Sequence, residues 1–202
     1  MRVETVVNGS RFYLFIKRLF DIVISFLAGV FLLVPMLIIA IIIRIDSPGP
    51  ALYKQERLGY QGKPFTMLKF RSMRIDAEKD GPQWASKGDD RCTKLGSMLR
   101  KFRLDEFPQL WNIFVGDMSF VGPRPERAYF YDEFEKNIPE FRERLLVKPG
   151  LTGHAQVNGG YDLKPEDKIV FDLEYMSKRS FAFDIKCIIQ TIKPIFTHDG
   201  AR

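Results

Sequence analysis

The feature that most limits the fold is an apolar run near the N-terminus, residues 22–43, which contains no charged side chain. At about 1.5 Å of rise per residue, a helix of this length can cross the hydrocarbon core of a membrane. A cleaved signal peptide fits poorly, because its apolar core covers roughly 7 to 15 residues before a small-residue cleavage site. This run instead continues directly into Arg44. It therefore predicts a retained membrane segment.

The flanks of the run and one proline within it bear on the path of that segment. Basic residues lie on both sides: Arg11, Lys17 and Arg18 before the run, and Arg44, Lys54 and Arg57 after it. Because positive charge marks the cytoplasmic side, this symmetry favours a re-entrant helical hairpin with both ends in the cytosol. Pro35 removes one backbone hydrogen bond and predicts the hairpin break. A kinked spanning helix is the alternative, since transmembrane helices tolerate proline.

The remainder of the chain has the length of one ordinary domain. The turn signal SPGP at residues 47–50 separates a membrane segment, residues 1–46, from a cytosolic domain, residues 47–202. Alternating apolar residues in 51–55 and 64–70 predict a small β-hairpin. Apolar residues at helical spacing from Ile185 to Phe196 predict an amphipathic helix that packs on the core or lies in the membrane interface.

Charge and cysteine usage exclude some classes of function. Lys and Arg outnumber Asp and Glu by 31 to 25, and the net charge of +6 favours anionic partners such as nucleotides, acidic lipids or nucleic acid. Cys92 and Cys187 have no CxxC spacing, and His154 lies far from His198. Neither a disulfide framework nor a zinc site is indicated, which fits a reducing, cytosol-facing compartment.

The candidate catalytic residues are Asp105 and Glu106 in the string KFRLDEFPQLWN. Pro108 is compatible with the first turn of a helix, so we expect a helix that starts near Asp105. Its N-terminus would keep the carboxylate ionised and would attract a phosphate. Adjacent helical residues point about 100° apart, so the two carboxylates would take different roles. An N-cap Asp followed by a first-turn Glu is the structural alternative.

Basic and glycine-rich segments are candidates for phosphate binding. Lys69 and Arg71 lie in KFRSM, and Arg124 lies in the rigid string GPRP. The planar guanidinium of arginine holds two phosphate oxygens at once. In PGLTGHAQVNG, residues 149–159, glycine permits close approach of backbone N–H groups to a phosphate. A solvated basic face and ordinary turns have similar compositions, so each segment alone leaves both interpretations open.

Taken together, the strings QERLGYQGKPFTMLKFRSM, LRKFRLDEFPQLWNIFVGDMSFVGPRP and KPGLTGHAQVNG resemble the bacterial sugar transferase family in its minimal form. These are monotopic polyprenyl-phosphate phosphoglycosyl transferases, which begin lipid-linked glycan assembly. The resemblance implies an α/β-type fold, with a mostly helical cytosolic domain and a small β-hairpin. It also implies a re-entrant membrane helix and interfacial amphipathic helices at the cytosolic face of the bacterial inner membrane.

The same resemblance implies the chemistry of the site. A sugar-1-phosphate passes from a UDP-sugar to undecaprenyl (polyprenyl) phosphate, and UMP is released. Asp105 would be the nucleophile that attacks the β-phosphate, and Glu106 would position Mg²⁺ or accept a proton, so that both carboxylates serve as metal ligands. Arg124, Lys69 and Arg71 would bind substrate phosphates. Inner-leaflet lipids would be partners, and nucleic acid would not.

The chain departs from the family pattern at two positions, and two alternatives to the implied activity stay open. Many relatives have Trp or Leu where this chain has His154, and Arg where it has Gly160, and either difference would alter how the nucleotide is held. In a competing mechanism polyprenyl phosphate attacks directly, with no covalent intermediate. In a competing function the chain is a non-enzymatic, basic, membrane-anchored binding module. Galactose or an N-acetylated hexosamine is the expected sugar, without a residue-level reason.

Overall fold

Helices dominate the part of the chain that a computed structural model describes, namely residues 7–79, 81, 83, 89–159 and 163–197, with side chains as far as Thr191. This agrees with the expected mostly helical domain. The α-helices within these ranges are α1 (Arg11–Phe31), α2 (Leu33–Asp46), α3 (Lys94–Lys101), α4 (Gln109–Val115), α5 (Ala128–Glu135), α6 (His154–Val157), α7 (Pro165–Lys178) and α8 (Phe181–Thr197).

Two small sheets accompany the helices. Strands β1 (Leu52–Leu58) and β2 (Pro64–Phe70) pair in antiparallel register, which confirms the predicted hairpin. Strands β3 (Ser119–Val121) and β4 (Gly150–Thr152) form a parallel pair that the sequence analysis did not predict. Strands this short contain too few residues to show an alternating pattern.

The apolar run forms a bent pair of helices. Helices α1 and α2 meet at Leu32 with an angle of 61°. We predicted the break at Pro35, and it lies three residues earlier in the chain. A proline ring clashes with the carbonyl four residues earlier, which here belongs to Phe31, the last residue of α1. The steric effect of Pro35 thus falls one turn before the proline itself.

Within the described ranges, no single helix is long and apolar enough to cross a membrane, but α1 and α2 together meet that test of length and composition. Large apolar side chains are exposed along both helices. Examples are Phe12, Phe15, Phe26 and Phe31 in α1, and Val34, Leu37, Ile41 and Ile45 in α2. The membrane path of the pair stays a prediction.

The first half of α1 is attached to the remainder of the structure by polar contacts. Arg18 donates hydrogen bonds of 2.8 Å to the carbonyls of Ile113 and Phe114 at the end of α4. Lys17 forms a 2.7 Å salt bridge with the largely buried Asp184 of α8. Two of the basic residues that flank the apolar run therefore contact the protein itself. The predicted division between residues 46 and 47 stays a prediction.

The core consists of buried apolar clusters that join distant elements. One cluster contains Val121 of β3, Tyr175 of α7 and Cys187 of α8, so the described side chains of α8 confirm its packing on the core. Another cluster contains Ile43, Phe70 and Leu99, which join α2, β2 and α3. Both ends of the bent helix pair thus contact the same domain. The predicted apolar face of α8 beyond Thr191 lies outside the described side chains.

Candidate active site

Most of the predicted site residues surround one cavity of about 370 Å³. Its walls come from the β1–β2 hairpin, the end of α3, the segment that follows β3, and α6. The structure brings together Lys69, Arg71, Asp105 and Arg124 along these walls. Glu106, in contrast, is absent from the lining among the described residues, and its carboxylate pairs with Arg124.

A tight turn, and not an α-helix, presents Asp105. After α3, Arg103 adopts a left-handed conformation with φ of 55°, and residues Leu104–Glu106 form one 3₁₀ turn. The α-helix begins only at Gln109. The predicted helix start near Asp105 is therefore confirmed only as a 3₁₀ turn, and the α-helix starts four residues later. Pro108 has no N–H to donate to the carbonyl of Leu104, so the α-helical hydrogen-bond pattern is interrupted there. The dipole argument for Asp105 does not apply.

The Asp105 carboxylate is buried, with 5 % of the residue exposed, and it faces the cavity. No described residue forms a hydrogen bond or salt bridge with it. Burial raises the pKa of Asp105, and the nearby Glu106 charge raises it further, while Lys69, Arg100 and Arg124 oppose the shift. A helix terminus would shift the pKa of Asp105 in the opposite direction. The carboxylate oxygens remain available to a ligand.

Three cationic side chains hold the neighbouring Glu106. Nη2 of Arg124 lies 2.6 Å from Oε1 of Glu106, Nζ of Lys69 lies 3.7 Å from the same oxygen, and Nη1 of Arg103 lies 3.9 Å from Oε2. Burial alone would raise the pKa of Glu106, but these cations outweigh it and hold the pKa well below its usual range. A carboxylate with so low a pKa is a poor proton acceptor at neutral pH.

A buried ion pair supports the backbone at Arg124. Nη2 of Arg144 donates a 2.9 Å hydrogen bond to the Arg124 carbonyl, and Nε of Arg144 lies 2.6 Å from the Asp172 carboxylate. Both charged groups are fully buried. Desolvation would lower the pKa of Arg144, but Asp172 and other nearby groups raise it above its ordinary value. Burial raises the pKa of Asp172, and the Arg144 guanidinium opposes that shift. The segment that carries Arg124 is therefore fixed by the core.

Arg71 lines the cavity, but its guanidinium is already engaged. Nη2 donates to the carbonyl and hydroxyl of Ser47 at 2.8 Å each and to the carbonyl of Ile43 at 3.3 Å, and Nη1 donates to the Pro48 carbonyl at 2.9 Å. These acceptors lie at and just beyond the end of α2, where carbonyls lack helical partners. Phosphate binding by Arg71 stays a prediction, and this geometry favours a structural role.

Sequence analysis missed a second group of polar residues in the cavity wall. Glu126 forms salt bridges with Arg57 at 2.9 Å and with Lys168 at 3.6 Å, and all three line the cavity together with Gln156. Glu126 directly follows GPRP and Gln156 lies in PGLTGHAQVNG, so adjacency to flagged motifs was the available signal. No signal in the sequence pointed to Lys168, because it lies in the first turns of an ordinary helix.

His154 is not among the described residues that line the cavity. Its Nε2 lies 3.1 Å from a Glu174 oxygen, its Nδ1 lies 3.0 Å from the Asn158 amide nitrogen, and its ring packs edge-on against Phe171. These contacts hold the His154 ring against α7 and the end of α6. Gly160 lies outside the described residues.

The side chains around the cavity can be compared with the ligands that Mg²⁺ requires. Within the described ranges, no group of three or more His, Cys, Asp or Glu side chains forms a protein-only metal site. Mg²⁺, however, is commonly held by one or two carboxylates together with substrate phosphates. Asp105, with its unengaged oxygens in the cavity, fits such a site. Glu106 is less suited to it, because three cations already surround its carboxylate.

A buried carboxylate that faces a cavity lined with arginine and lysine defines an enzyme site suited to phosphoryl groups. Comparison with known proteins gives the family. The chain matches the family described as bacterial sugar transferase over residues 12–198, and it belongs to that family.

Relatives with described activities show substantial identity. The chain is 41% identical over 196 residues to the UDP-N-acetylgalactosamine-undecaprenyl-phosphate N-acetylgalactosaminephosphotransferase of Aeromonas hydrophila. This match covers 96% of this chain and 46% of the relative. It is 41% identical over 191 residues to the UDP-glucose:undecaprenyl-phosphate glucose-1-phosphate transferase of Xanthomonas campestris pv. campestris, with 92% and 40% covered. It is 38% identical over 192 residues to exopolysaccharide production protein PSS of Rhizobium leguminosarum bv. phaseoli, with 89% and 94% covered. The chain thus spans less than half the length of the first two relatives.

Proposed function

We propose that this protein transfers a sugar-1-phosphate from a UDP-sugar to undecaprenyl phosphate through a covalent intermediate on Asp105. The observation that carries this proposal is the contrast within the dyad. Asp105 presents an unengaged carboxylate to the cavity, whereas Glu106 is held by Arg124, Lys69 and Arg103. The names of the Aeromonas and Xanthomonas relatives support the two substrates.

In the first step, a carboxylate oxygen of Asp105 attacks the β-phosphorus of the UDP-sugar. The bond between that phosphorus and the oxygen bridging to the α-phosphate breaks, and UMP leaves with the bonding electron pair. The product on the protein is an acyl phosphate that carries the sugar. In the second step, a phosphate oxygen of undecaprenyl phosphate attacks the same phosphorus, the acyl–phosphate bond breaks, and the Asp105 carboxylate is restored.

The cationic residues have distinct tasks in both steps. Arg124 and Lys69 lie close enough to the dyad to stabilise charge on the transferred phosphoryl group. Glu106 acts as a positioning residue, because its salt bridge of 2.6 Å orients the Arg124 fork. Mg²⁺, held by Asp105 together with substrate phosphates, would neutralise phosphate charge. It would also favour the ionised form of Asp105, which burial disfavours.

The membrane arrangement belongs to the same proposal: the bent helix pair enters the inner leaflet from the cytosol and returns. Lys17 in α1 contacts Asp184, and Ile43 in α2 packs with Phe70, so both ends of the pair contact one domain. This supports re-entry independently of the positive flanks. Exposed apolar side chains along both helices would then contact the acyl chains.

A labelling experiment tests the covalent intermediate. The protein is mixed with UDP-sugar labelled in the sugar, without undecaprenyl phosphate, and protein-bound label and UMP are measured. We expect about one label per active protein and a matching burst of UMP, with Asp105→Asn at background, because an amide is too poor a nucleophile. Asp132→Asn, which alters a surface carboxylate paired with Arg142, is the matched control and should retain the label.

The remaining outcomes separate the alternatives. Turnover by wild type with no label on the protein would favour direct attack by undecaprenyl phosphate. An absence of UMP release with every UDP-sugar tested, with undecaprenyl phosphate present, would leave the binding module as the better explanation.

A further inference from the structure

The cavity is lined by apolar side chains as well as by cations. The apolar lining comes from the segments that follow α2 and β2, and it includes Pro50, Leu52, Met73 and Ile75. Ile75 is 69 % exposed and Leu52 is 40 % exposed, so both side chains have surface available to a ligand. Single exposed apolar residues are ordinary on a protein surface, but here several of them line one cavity. This part of the lining suits a hydrocarbon group.

The apolar lining lies at the end of the bent helix pair. Helix α2 ends at Asp46, and Pro50 follows after one turn. A β-carbon at Gly49, in that turn, would lie 2.9 Å from Cδ1 of Ile75, so the Ile75 side chain packs against the turn. In the proposed membrane arrangement the chain leaves the bilayer at this turn. Ile75 therefore lies on the side of the cavity that is nearest to the bilayer.

Strand β2 leads from the dyad to this turn. Nζ of Lys69 lies 3.7 Å from Oε1 of Glu106, and two residues later the Arg71 guanidinium donates to the carbonyls of Ser47 and Pro48. Two residues of a strand cover about 7 Å. A phosphate near the dyad and a short hydrocarbon group attached to it can span that distance.

The arrangement of charge and apolar surface identifies the occupant. Undecaprenyl phosphate carries its hydrocarbon directly on the phosphate, so its two parts match cations and apolar side chains that lie side by side. A UDP-sugar has no hydrocarbon chain. The acyl chains of a phospholipid are separated from its phosphate by glycerol and ester groups. Among these molecules, the isoprenyl phosphate fits the cavity best.

We propose that Ile75, together with Leu52, contacts the first isoprene unit of undecaprenyl phosphate and so places the acceptor phosphate for the second step. This inference rests on the proposed function, because it assigns the binding of the acceptor. Ile75 takes no part in making or breaking bonds. Its contact contributes to the second step and not to the attack by Asp105.

Separating the two steps tests this assignment. The full chain in lipid nanodiscs is first labelled with the UDP-sugar, and the label is then discharged by geranyl phosphate or by methyl phosphate, which has no isoprene unit. Ile75→Asn should give the same label and the same burst of UMP as wild type. Its discharge by geranyl phosphate should be about tenfold slower, the effect of losing apolar contact with one or two carbon groups. Discharge by methyl phosphate should not change.

Two variants control for other effects of the substitution. Val170 in α7 is 63 % exposed and is not among the described residues that line the cavity, so Val170→Asn should leave both discharge rates unchanged. Ile75→Leu keeps the apolar surface and should keep the preference for geranyl phosphate. All three variants should have the Tm of wild type, because the replaced side chains are mostly exposed.

Three results would overturn the proposal while leaving the proposed function intact. The first is an unchanged preference for geranyl over methyl phosphate in Ile75→Asn, even if undecaprenyl phosphate reacts more slowly, since Ile75 would then contact bilayer lipids. The second is an equal loss with both phosphates, which would indicate a structural effect on the site. The third is a loss of labelling in the first step, which would assign Ile75 to the UDP-sugar.

Failure of the proposed function would appear separately, in wild type. A wild type that releases no UMP with any acceptor would contradict the transfer reaction itself. If wild type turns over without carrying label, only the covalent intermediate is wrong, and the same preference for geranyl phosphate is measured from UMP release.

Discussion

Asp105 and Glu106 are neighbours in sequence, yet their surroundings shift their pKa values in opposite directions. Burial raises the pKa of Asp105, while Arg124, Lys69 and Arg103 together lower that of Glu106. Two carboxyl groups separated in this way can perform different tasks in one site. In the proposed mechanism, Asp105 is the nucleophile and Glu106 fixes the cations around it.

The raised pKa of Asp105 predicts a gain in stability when its charge is removed. A raised pKa means that the folded protein binds the Asp105 proton more tightly than the unfolded chain, so this contribution to stability is lost as pH rises above 3.8. Asp105→Asn should therefore raise Tm at pH 7, by about 2 to 4 °C for each kcal/mol. The difference from wild type should shrink as pH falls towards 4, measured by thermal unfolding in nanodiscs. A higher Tm for wild type at pH 7 would contradict this prediction.

Arg124→Lys should lower turnover without unfolding the protein. Lysine keeps the charge but loses the planar fork that meets Glu106 at 2.6 Å and can hold two phosphate oxygens. We expect a decrease in kcat/KM of about 10- to 100-fold, which is less than the roughly 10²- to 10³-fold loss for removing a donor outright, because lysine keeps the charge. UMP release and Tm would be measured together. Arg127→Lys, three residues further along and paired with Glu78, should change neither quantity.

Among the elements, α1 and α2 have a feature that their hydropathy alone does not show, because both ends of the pair are attached to the catalytic domain. Arg18 donates to the last carbonyls of α4, and Ile43 packs in the core with Leu99. In the proposed membrane arrangement, the bend and these attachments act together to hold the re-entrant path. A change in only one of them should have a limited effect.

This predicts the behaviour of Pro35→Ala. Alanine restores an N–H that can donate to the Phe31 carbonyl and so favours a straight helix. A cysteine introduced by Arg11→Cys, with Cys92 and Cys187 replaced by alanine, reports the side on which the N-terminus lies. With an impermeant reagent outside intact cells, position 11 should stay unlabelled in the parent protein and in Pro35→Ala. Labelling should appear when Arg18→Ala is added.

Pro139→Ala is the matched control, because it also removes a proline but lies outside the helix pair, at the start of the 3₁₀ segment Pro139–Leu146. It should leave position 11 unlabelled with or without Arg18→Ala. Labelling of position 11 from outside in the parent protein would exclude the re-entrant path.

Across the whole molecule, local sequence patterns predicted those parts that depend on neighbouring residues. Alternation predicted the β1–β2 hairpin, and the strings KFRLDEFPQLWN and GPRP drew attention to Asp105 and Arg124, which both line the cavity. Contacts between distant segments were not predictable in this way. The pair of Arg144 and Asp172 joins residues 28 positions apart, and only the fold shows that it supports Arg124.

The same reasoning explains which contacts the sequence did not show. Arg71 has the composition of a phosphate ligand, but the end of α2 lies within reach and its carbonyls take the guanidinium. Lys17 and Arg18 have the composition of a positive flank, but α8 and α4 bind them. The sequence shows which interactions a charged side chain can form. Its neighbours in the folded structure determine which of these interactions it does form.

The hydrogen bonds of Arg71 have a consequence for how the acceptor lipid is chosen. Arg71 lies one residue beyond β2, which carries Lys69, and it joins that strand to the turn after α2. In the proposed membrane arrangement, the embedded helices and the catalytic strand therefore move as one body. The nucleophile then stands at a constant height above the bilayer surface. Acceptors would be sorted by how far their headgroups rise out of the lipid, and isoprenoid tails of different lengths would serve equally well.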